Sequence, residues 1–391
     1  MNSKPLYVPS RIKSVDPLHE PRLLTAERRE QYRDSARAAR AAKDAAVAGH
    51  GETPLHEINT PGFDPYDLMP MRNAVGLSTL SLFSGGGGLD LGFERAGFEH
   101  EGAWEILEDA GTTLRVARPD WNVYSGSNGD VRGVDWRGYR TNVDLIHGGP
   151  PCQPFSNAGK QRGATDPRDM WPEFVRAVLQ IKPEAFVAEN VAALANTTFS
   201  TYVDETIMQP LSKHYEIHRV ILHAHEFGVP QVRKRVIFFG FKSKRAARRW
   251  SAPAPTFARS ASHGLPKVMG LREALGLPDS GFDDVSPTIR SGLSGPRHTT
   301  SILNSVSAQR RFSELGIWPN GVAPTREAAR AFVAKNGHFR LSVQDVGLIQ
   351  GFPEDWEFSG ATYMKLGQIG NAVPPPLGYV IARSVAEALA K

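Results

Sequence analysis

The sequence predicts an α/β fold: a largely parallel sheet wound with helices, followed by a smaller and irregular region. Three observations predict it. Apolar runs of strand length recur between Leu80 and Phe239, separated by helical or loop segments. The first run breaks into Ser84-Gly85-Gly86-Gly87-Gly88 and then a helix, and later runs end in lone polar residues of the kind that parallel sheets hold at their carboxyl edge. From Ser251 to about Lys335 the rhythm gives way to Pro, Ser, Gly, Arg and His.

Composition bounds the answer. A chain of 391 residues favours two or three domains, and 40% hydrophobic residues suffice for their cores. The balance of 46 Lys+Arg against 41 Asp+Glu, a net +5, permits a polyanionic partner without demanding one. The single cysteine, Cys152, excludes an intramolecular disulfide and a cysteine-rich zinc site, and it suits a reducing compartment. No apolar run approaches the roughly 20 residues of a membrane span. The N-terminus lacks the apolar core of a signal peptide, so the expectation is a soluble, cytoplasmic protein.

Residues 1–76 read as an extension and linker. Thr25 is a candidate N-cap with Glu27 in the first turn of an Ala/Arg/Glu-rich helix ending near Gly49 and Gly51. Its apolar stripe is poor, which favours a solvated outer helix over an oligomerisation or DNA-touching arm. From Gly51 to Asn73, Pro, Gly and Asp read as linker.

Leu80 to Phe83 is the first strand, and the glycine turn after it brings backbone amides and a helix N-terminus to a ligand. No intact G-x-G-x-x-G is present, since the last position is Asp90 counting from Gly85 and Leu91 counting from Gly86. A dinucleotide dehydrogenase is disfavoured. The second strand ends around Ala103-Trp104, and Glu105 follows where a doubly wound sheet places a ribose-binding acid. Asp130, in Gly129-Asp130-Val131, is either one more cofactor contact or a turn aspartate.

Val143 to Ile146 is the next strand, and it leads into His147 to Lys160, HGGPPCQPFSNAGK. Prolines on both sides of Cys152 rule out a helix and stiffen the loop. A lone cysteine is most often a small buried hydrophobe, but a nucleophile needs this kind of mounting. Ser156 to Arg168 is polar and aperiodic, either a segment that closes over a substrate or ordinary surface. Trp171 to Ile181 reads as a helix, and Ala185 to Ala188 as a strand ending in Glu189-Asn190-Val191.

Val220 to Leu222 and Val236 to Phe239 follow as apolar runs. Between them, Gln231, Arg233 and Arg235 alternate onto one face of an extended chain, as a cationic row or as a charged edge-strand entrance. Lys242 to Arg249 is a basic run, a phosphate contact or a solvated face. The irregular region precedes RLSVQDVGLIQGFP and then Gly370-Asn371-Ala372-Val373-Pro374-Pro375-Pro376. A final helix carries an apolar stripe at Val380, Ile381, Val385, Ala388 and Leu389 that should pack back on the sheet.

A thiol and a carboxylate with no histidine at a recognisable place argue against a cysteine protease. Conjugate addition uses them differently. A thiolate adds to carbon 6 of a pyrimidine while an acid at ring nitrogen 3 stabilises the charge, and carbon 5 then takes a methyl group from a sulfonium donor.

Six segments in order, LSLFSGGGGLDLGFERAGF, GGPPCQPFS, AENV, GVPQVRKRVIFFG, RLSVQDVGLIQGFP and IGNAVPPPLG, resemble the DNA cytosine-5 methyltransferase family of the bacterial restriction-modification type, from Leu80 to the C-terminus. The resemblance implies a Rossmann-like S-adenosylmethionine-dependent domain over 77–262 plus 366–391 and a target-recognition domain over 263–365. It implies Cys152 as nucleophile, Glu189 as the acid at ring nitrogen 3, and Arg233 and Arg235 holding the flipped cytosine and a neighbouring phosphate. Phe83, Ser84, Gly85, Gly87, Gly88, Glu105, Ile106, Asp130, Pro151, Asn371 and Ala372 would hold S-adenosyl-L-methionine. Gln153, Ser156, Lys160, Arg162, Arg290 and Arg297 would meet the DNA, with Ser291, His298 and Thr299 as further base readers.

Two departures stand out: Leu107 replaces an acid that the family often carries, and the leader has no counterpart in the shared core. Double-stranded DNA is the implied partner of a monomer, and a cognate restriction endonuclease would act on the same site without direct contact. Alternatives are a tRNA cytosine-5 methyltransferase, a non-catalytic DNA-binding regulator and an NAD-dependent oxidoreductase.

Overall fold

The computed structural model describes residues 57–151, 169–261, 264–291, 300–303, 305–319, 321–331 and 338–390, with six positions between 26 and 37. Seven strands form one sheet: β1 (Ser78–Leu82), β2 (Glu99–Glu105), β3 (Val123–Ser125), β4 (Leu145–Gly148), β5 (Ala185–Val191), β6 (Glu216–His223) and β7 (Lys234–Phe241). Their order is β3-β2-β1-β4-β5-β7-β6. The pairs from β3 through β5 are parallel, and β7 inserts antiparallel to both β5 and β6. The chain runs outward one way from β1 and the other way from β4. Their carboxyl ends therefore flank the switch point at which such sheets bind ligands.

Both faces of the sheet are buried, which is why the strands read as continuous apolar runs. Leu145, Val187, Ile237 and Phe239 join the core on one face, while Ile146, Phe186, Ala188, Val236 and Phe238 join the core on the other. The first core includes α1 (Gly88–Arg95), α2 (Glu108–Ala117) and the C-terminal helix, and the second includes α3 (Trp171–Ile181). The expected return of the last helix is found: a Cβ on Gly92 would lie 2.5 Å from the backbone of Gly378 and Tyr379, so the two helices meet backbone to backbone.

Three observations bear on the expected domain division. The stretch taken as linker is a strap over residues 57–76, with Phe63 and Met69 buried. Its Asn59 Nδ2 donates to the Leu275 carbonyl and to Asp345 Oδ1, both at 3.0 Å, and Tyr379 Oη donates to the Pro70 carbonyl. Second, among the described residues, Leu271, Ile289, Phe312 and Ile317 of the irregular region belong to the same buried cluster as Phe93 and Leu377. Third, ahead of the expected boundary at 365, the buried helix Val343–Ile349 already packs into that cluster, and Ser342 and Asp345 form its capping box.

The basic run 242–249 lies apart from the carboxyl edge of the sheet. Phe241 pairs with Ala185, at the start of β5, whereas Arg235 pairs with Val191 at its end. The basic helix Lys244–Arg249 therefore begins a strand's length away from the carboxyl edge. The described positions of the leader, Ala26, Glu27, Glu30, Arg33, Asp34 and Arg37, are helical and exposed, as a solvated helix should be.

Candidate active site

β1 ends in a turn whose glycines have separate reasons. Phe83 takes a left-handed conformation at φ 58°, and Gly85 and Gly87 follow at φ 55° and 82°. A Cβ on Gly88 would lie 2.0 Å from the Val373 carbonyl oxygen, so this position is set by packing against the segment before the last helix. Trp356 Nε1 donates to the Gly86 carbonyl at 3.0 Å and covers the turn from outside. Ser84 Oγ lies 2.7 Å from Ser81 Oγ.

Glu105, the last residue of β2, is buried, and both of its oxygens are engaged. Gly85 N–H donates to Oε2 and Leu107 N–H to Oε1, each at 2.8 Å. Burial pushes this carboxyl above its ordinary range, and the two amides oppose the rise. The carboxylate thus ties the glycine turn to the start of α2. Next to it Ile106 is 53% exposed, an apolar side chain beside a buried acceptor at the sheet edge. A buried carboxylate, a φ-positive turn opening onto α1 and an exposed isoleucine fit an adenosyl group. Asp130 caps the turn Val131–Gly133, and its carboxylate is engaged by the Arg132 guanidinium, which holds it below the usual carboxylate range. Asn371 is exposed at the end of the helix Thr362–Asn371, and Ala372 is buried.

At the other side of the switch point, β4 leads to Gly149 and Pro150. A Cβ on Gly149 would lie 2.9 Å from Glu189 Oε2, and Asn190 Nδ2 donates to the Pro150 carbonyl at 3.0 Å. The base of the cysteine loop is therefore fastened to the end of β5. Pro151 is half-buried. Cys152, Gln153, Ser156, Lys160, Arg162 and Arg297 lie outside the described residues, as do His298 and Thr299.

Glu189 is buried at the end of β5, and Arg235 Nε meets its Oε1 at 2.5 Å. The two are diagonal neighbours, since Val191 pairs with Arg235 and Glu189 with Ile237. Burial raises the affinity of Glu189 for a proton, and Arg235 and then Arg233 restrain that rise. The expected arginine row separates into three destinations. Gln231 Nε2 donates to Gln350 Oε1 at 2.8 Å, and its Oε1 accepts from Ile289 N–H at 3.0 Å. Arg233, fully buried, donates to the carbonyls of Ile289, Gly370 and Ala372 at 3.0, 2.9 and 2.7 Å. Only Arg235 turns to the carboxylate. Burial depresses the pKa of both Arg233 and Arg235, and the nearby charge of Arg290 adds to it.

The match to known proteins covers this whole arrangement. The family model "C-5 cytosine-specific DNA methylase" matches residues 77–387. The chain belongs to that family. It is 34% identical over 317 residues to the Type II methyltransferase M.NgoMIV of Neisseria gonorrhoeae, covering 80% of this chain and 98% of that protein. It is 33% identical to M.NaeI of Lentzea aerocolonigenes, covering 80% of this chain and 75% of that protein. A DNMT2 mutant from Spodoptera frugiperda, 18% identical, shares the fold with a TM-score of 0.54 over 79% of this chain and 99% of its own.

As a cytosine-5 DNA methyltransferase, the protein uses S-adenosyl-L-methionine as methyl donor. Three residues that the sequence reading assigned no role complete the site. Trp356 holds the glycine turn, Asn190 holds the cysteine loop, and Gln350 Nε2 donates at 2.6 Å to the Ala372 carbonyl that Arg233 also engages. Asn190 and Gln350 lie in the visible motifs AENV and QGFP and Trp356 just beyond the latter, but the contacts join residues far apart in sequence.

Proposed function

We propose that this methyltransferase methylates carbon 5 of one cytosine within a specific duplex DNA site and so protects host DNA in a bacterial restriction-modification system. The observation that carries the reading is Glu189: a buried carboxylate beneath the base of the Cys152 loop, paired with Arg235 at 2.5 Å. Similarity to Type II methyltransferases over nearly the whole length of M.NgoMIV supports it.

The target cytosine leaves the helix stack to reach the switch point. The Cys152 thiolate adds to carbon 6, and Glu189, whose burial favours its protonated form, hydrogen-bonds ring nitrogen 3 and takes up the developing charge. S-adenosyl-L-methionine supplies an electrophilic methyl group that carbon 5 accepts. A base then removes the carbon 5 proton, and elimination frees the thiolate. Arg235 orients Glu189, and it faces the same pocket as the substrate. Arg233 is a positioning residue: its guanidinium joins β7 to the recognition region at Ile289 and to the cofactor side at Gly370 and Ala372. Glu105 and Ile106 receive the adenosyl portion, and Arg290 offers a cation to the DNA backbone beside the site.

The protein acts as a cytoplasmic monomer, and a cognate endonuclease cuts the same site when it is unmethylated. Among the described residues no helix is long and apolar enough to cross a membrane. Bisulfite sequencing of DNA from cells expressing the protein tests the proposal. Protected cytosines confined to one short sequence, and absent with Cys152→Ala, are expected. Protection of tRNA cytosines with unmodified DNA would contradict it.

A further inference from the structure

A cluster that methyl transfer does not use lies where β6 ends. His223 closes that strand opposite Lys234, and the chain then turns through a short 3-10 helix, Ala224–Phe227. A strand that ends in this turn brings His223, His225 and Glu226 to one side. One ligand atom from each lies within 4.8 Å of the others. The two imidazoles stand 5.6 Å apart, edge to face at 81°. His225 Nδ1 is buried and has no hydrogen-bond partner among the described residues, so this ring carries a lone nitrogen without an assigned role. All three side chains are partly exposed, which leaves a path for an ion from solvent.

We propose that His223, His225 and Glu226 bind one divalent transition-metal ion of the zinc class, at a site separate from the methyl-transfer centre. Two imidazoles and one carboxylate are a donor set suited to Zn²⁺, which takes nitrogen and carboxylate ligands at about 2.0–2.2 Å and four-coordinate geometry. Tetrahedral ligand atoms stand about 3.4 Å apart at those bond lengths, so small side-chain rotations within the 4.8 Å limit close the site. The fourth position belongs to water.

The place of the cluster indicates a structural ion. Ala224, between the two histidines, donates its N–H to the Arg233 carbonyl at 2.8 Å. The Glu226 carbonyl accepts from the N–H groups of Thr256 and Phe257, where the chain leaves β7 for the recognition region. Arg259 and Asp284, which form an ion pair across that crossing, lie close enough to act electrostatically on His225. An ion here would tighten the turn that supports the backbone of Arg233 and the entry to the recognition region.

The test is titration of the full-length Cys152→Ser protein with Zn²⁺ and with Co²⁺, followed by calorimetry and by cobalt absorption. Replacing Cys152 removes the only thiol that would compete. One ion per chain at micromolar affinity or tighter, tetrahedral cobalt bands, and a melting temperature raised by excess Zn²⁺ are expected. His223→Ala and His225→Ala should each weaken binding more than the roughly 10–100-fold that loss of a supporting outer contact costs. Glu226→Gln, which keeps the backbone carbonyl bonds, serves if a histidine variant misfolds and should also lose the tetrahedral spectrum. His218→Ala, on the same strand outside the cluster, should bind as the parent does. Binding unchanged in His225→Ala and Glu226→Gln, or no binding tighter than millimolar, would overturn the proposal.

Discussion

Two buried glutamates stand at the carboxyl edge of the same sheet, on either side of the switch point, and their surroundings differ. Glu105 is held by two neutral donors, the amides of Gly85 and Leu107, with Asp90 adding to the upward push of burial. Glu189 is held by a cation, Arg235, with Arg233 behind it. Amide dipoles fix a carboxylate in place and leave its outer lone pairs to accept from a ligand's hydroxyls. A guanidinium opposes the upward push of burial on a carboxylate's proton affinity, so a charged neighbour and a dry setting act on Glu189 in opposite directions. The same side chain at equivalent strand ends thus stands in two different environments, which suit the proposed division between recognition at Glu105 and chemistry at Glu189.

The largest way to disturb this contrast is from beneath the second glutamate. Arg233→Met would remove the guanidinium that the carbonyls of Ile289, Gly370 and Ala372 share in a dry interior, leaving Ala372 with Gln350 Nε2 as its remaining side-chain donor. A loss of about 3–5 kcal/mol in urea unfolding is expected, and a loss below about 0.5 kcal/mol would show that the strut is dispensable.

Next comes His147, in β4 between the two sides, stacked on Phe93 at 4.3 Å. Burial holds its pKa at about 4, below the ordinary 6.5. A histidine with a depressed folded pKa binds fewer protons in the folded state than in the unfolded state, so stability rises with pH between those values. It is lost progressively as pH falls from about 6.5 towards about 4, by about 3 kcal/mol in total. His147→Phe should flatten that part of the acid-unfolding profile, and an unchanged slope would contradict the assignment.

Glu105→Gln tests the first glutamate directly. An amide cannot present an oxygen to both N–H donors, so affinity for S-adenosyl-L-methionine should fall about 10- to 100-fold by calorimetry, corresponding to one or two lost hydrogen bonds to a charged group. The turnover number at saturating cofactor should change far less.

The smallest effect is a shift in pH dependence. Arg235 lowers the pKa of Glu189, so Arg235→Met should raise it further. The limb of kcat/KM that falls as Glu189 loses its proton should then move to higher pH by about one unit. A move to lower pH would reverse the electrostatic argument.

Much of this contrast was legible in the sequence. Glu189 follows a continuous apolar run of strand length, the mark of a strand buried on both faces, whereas Glu105 follows only the short apolar pair Ala103-Trp104 and is located by its distance from the glycine turn. The glycine turn could be read as a ligand loop, though Gly88 is required by the Val373 carbonyl rather than by a ligand alone. The arginine row was legible as a row but not in its destinations, because Arg233 meets partners more than fifty residues away, which no local period encodes. The fastening of the strap over 57–76 is hidden for a related reason. Its Pro, Gly and Asp content is that of a linker, and only the contacts of Asn59 with Leu275 and Asp345 reveal that it is fastened.

The division of labour between the two glutamates is tested most directly by Glu189→Gln. Transfer of labelled methyl groups to duplex DNA is measured alongside S-adenosyl-L-methionine affinity. The account predicts a turnover number reduced about 10²- to 10⁴-fold, the range of a lost acid-base contribution, with cofactor affinity within about twofold of the parent. Near-normal turnover, or a loss explained by weakened cofactor binding, would contradict it.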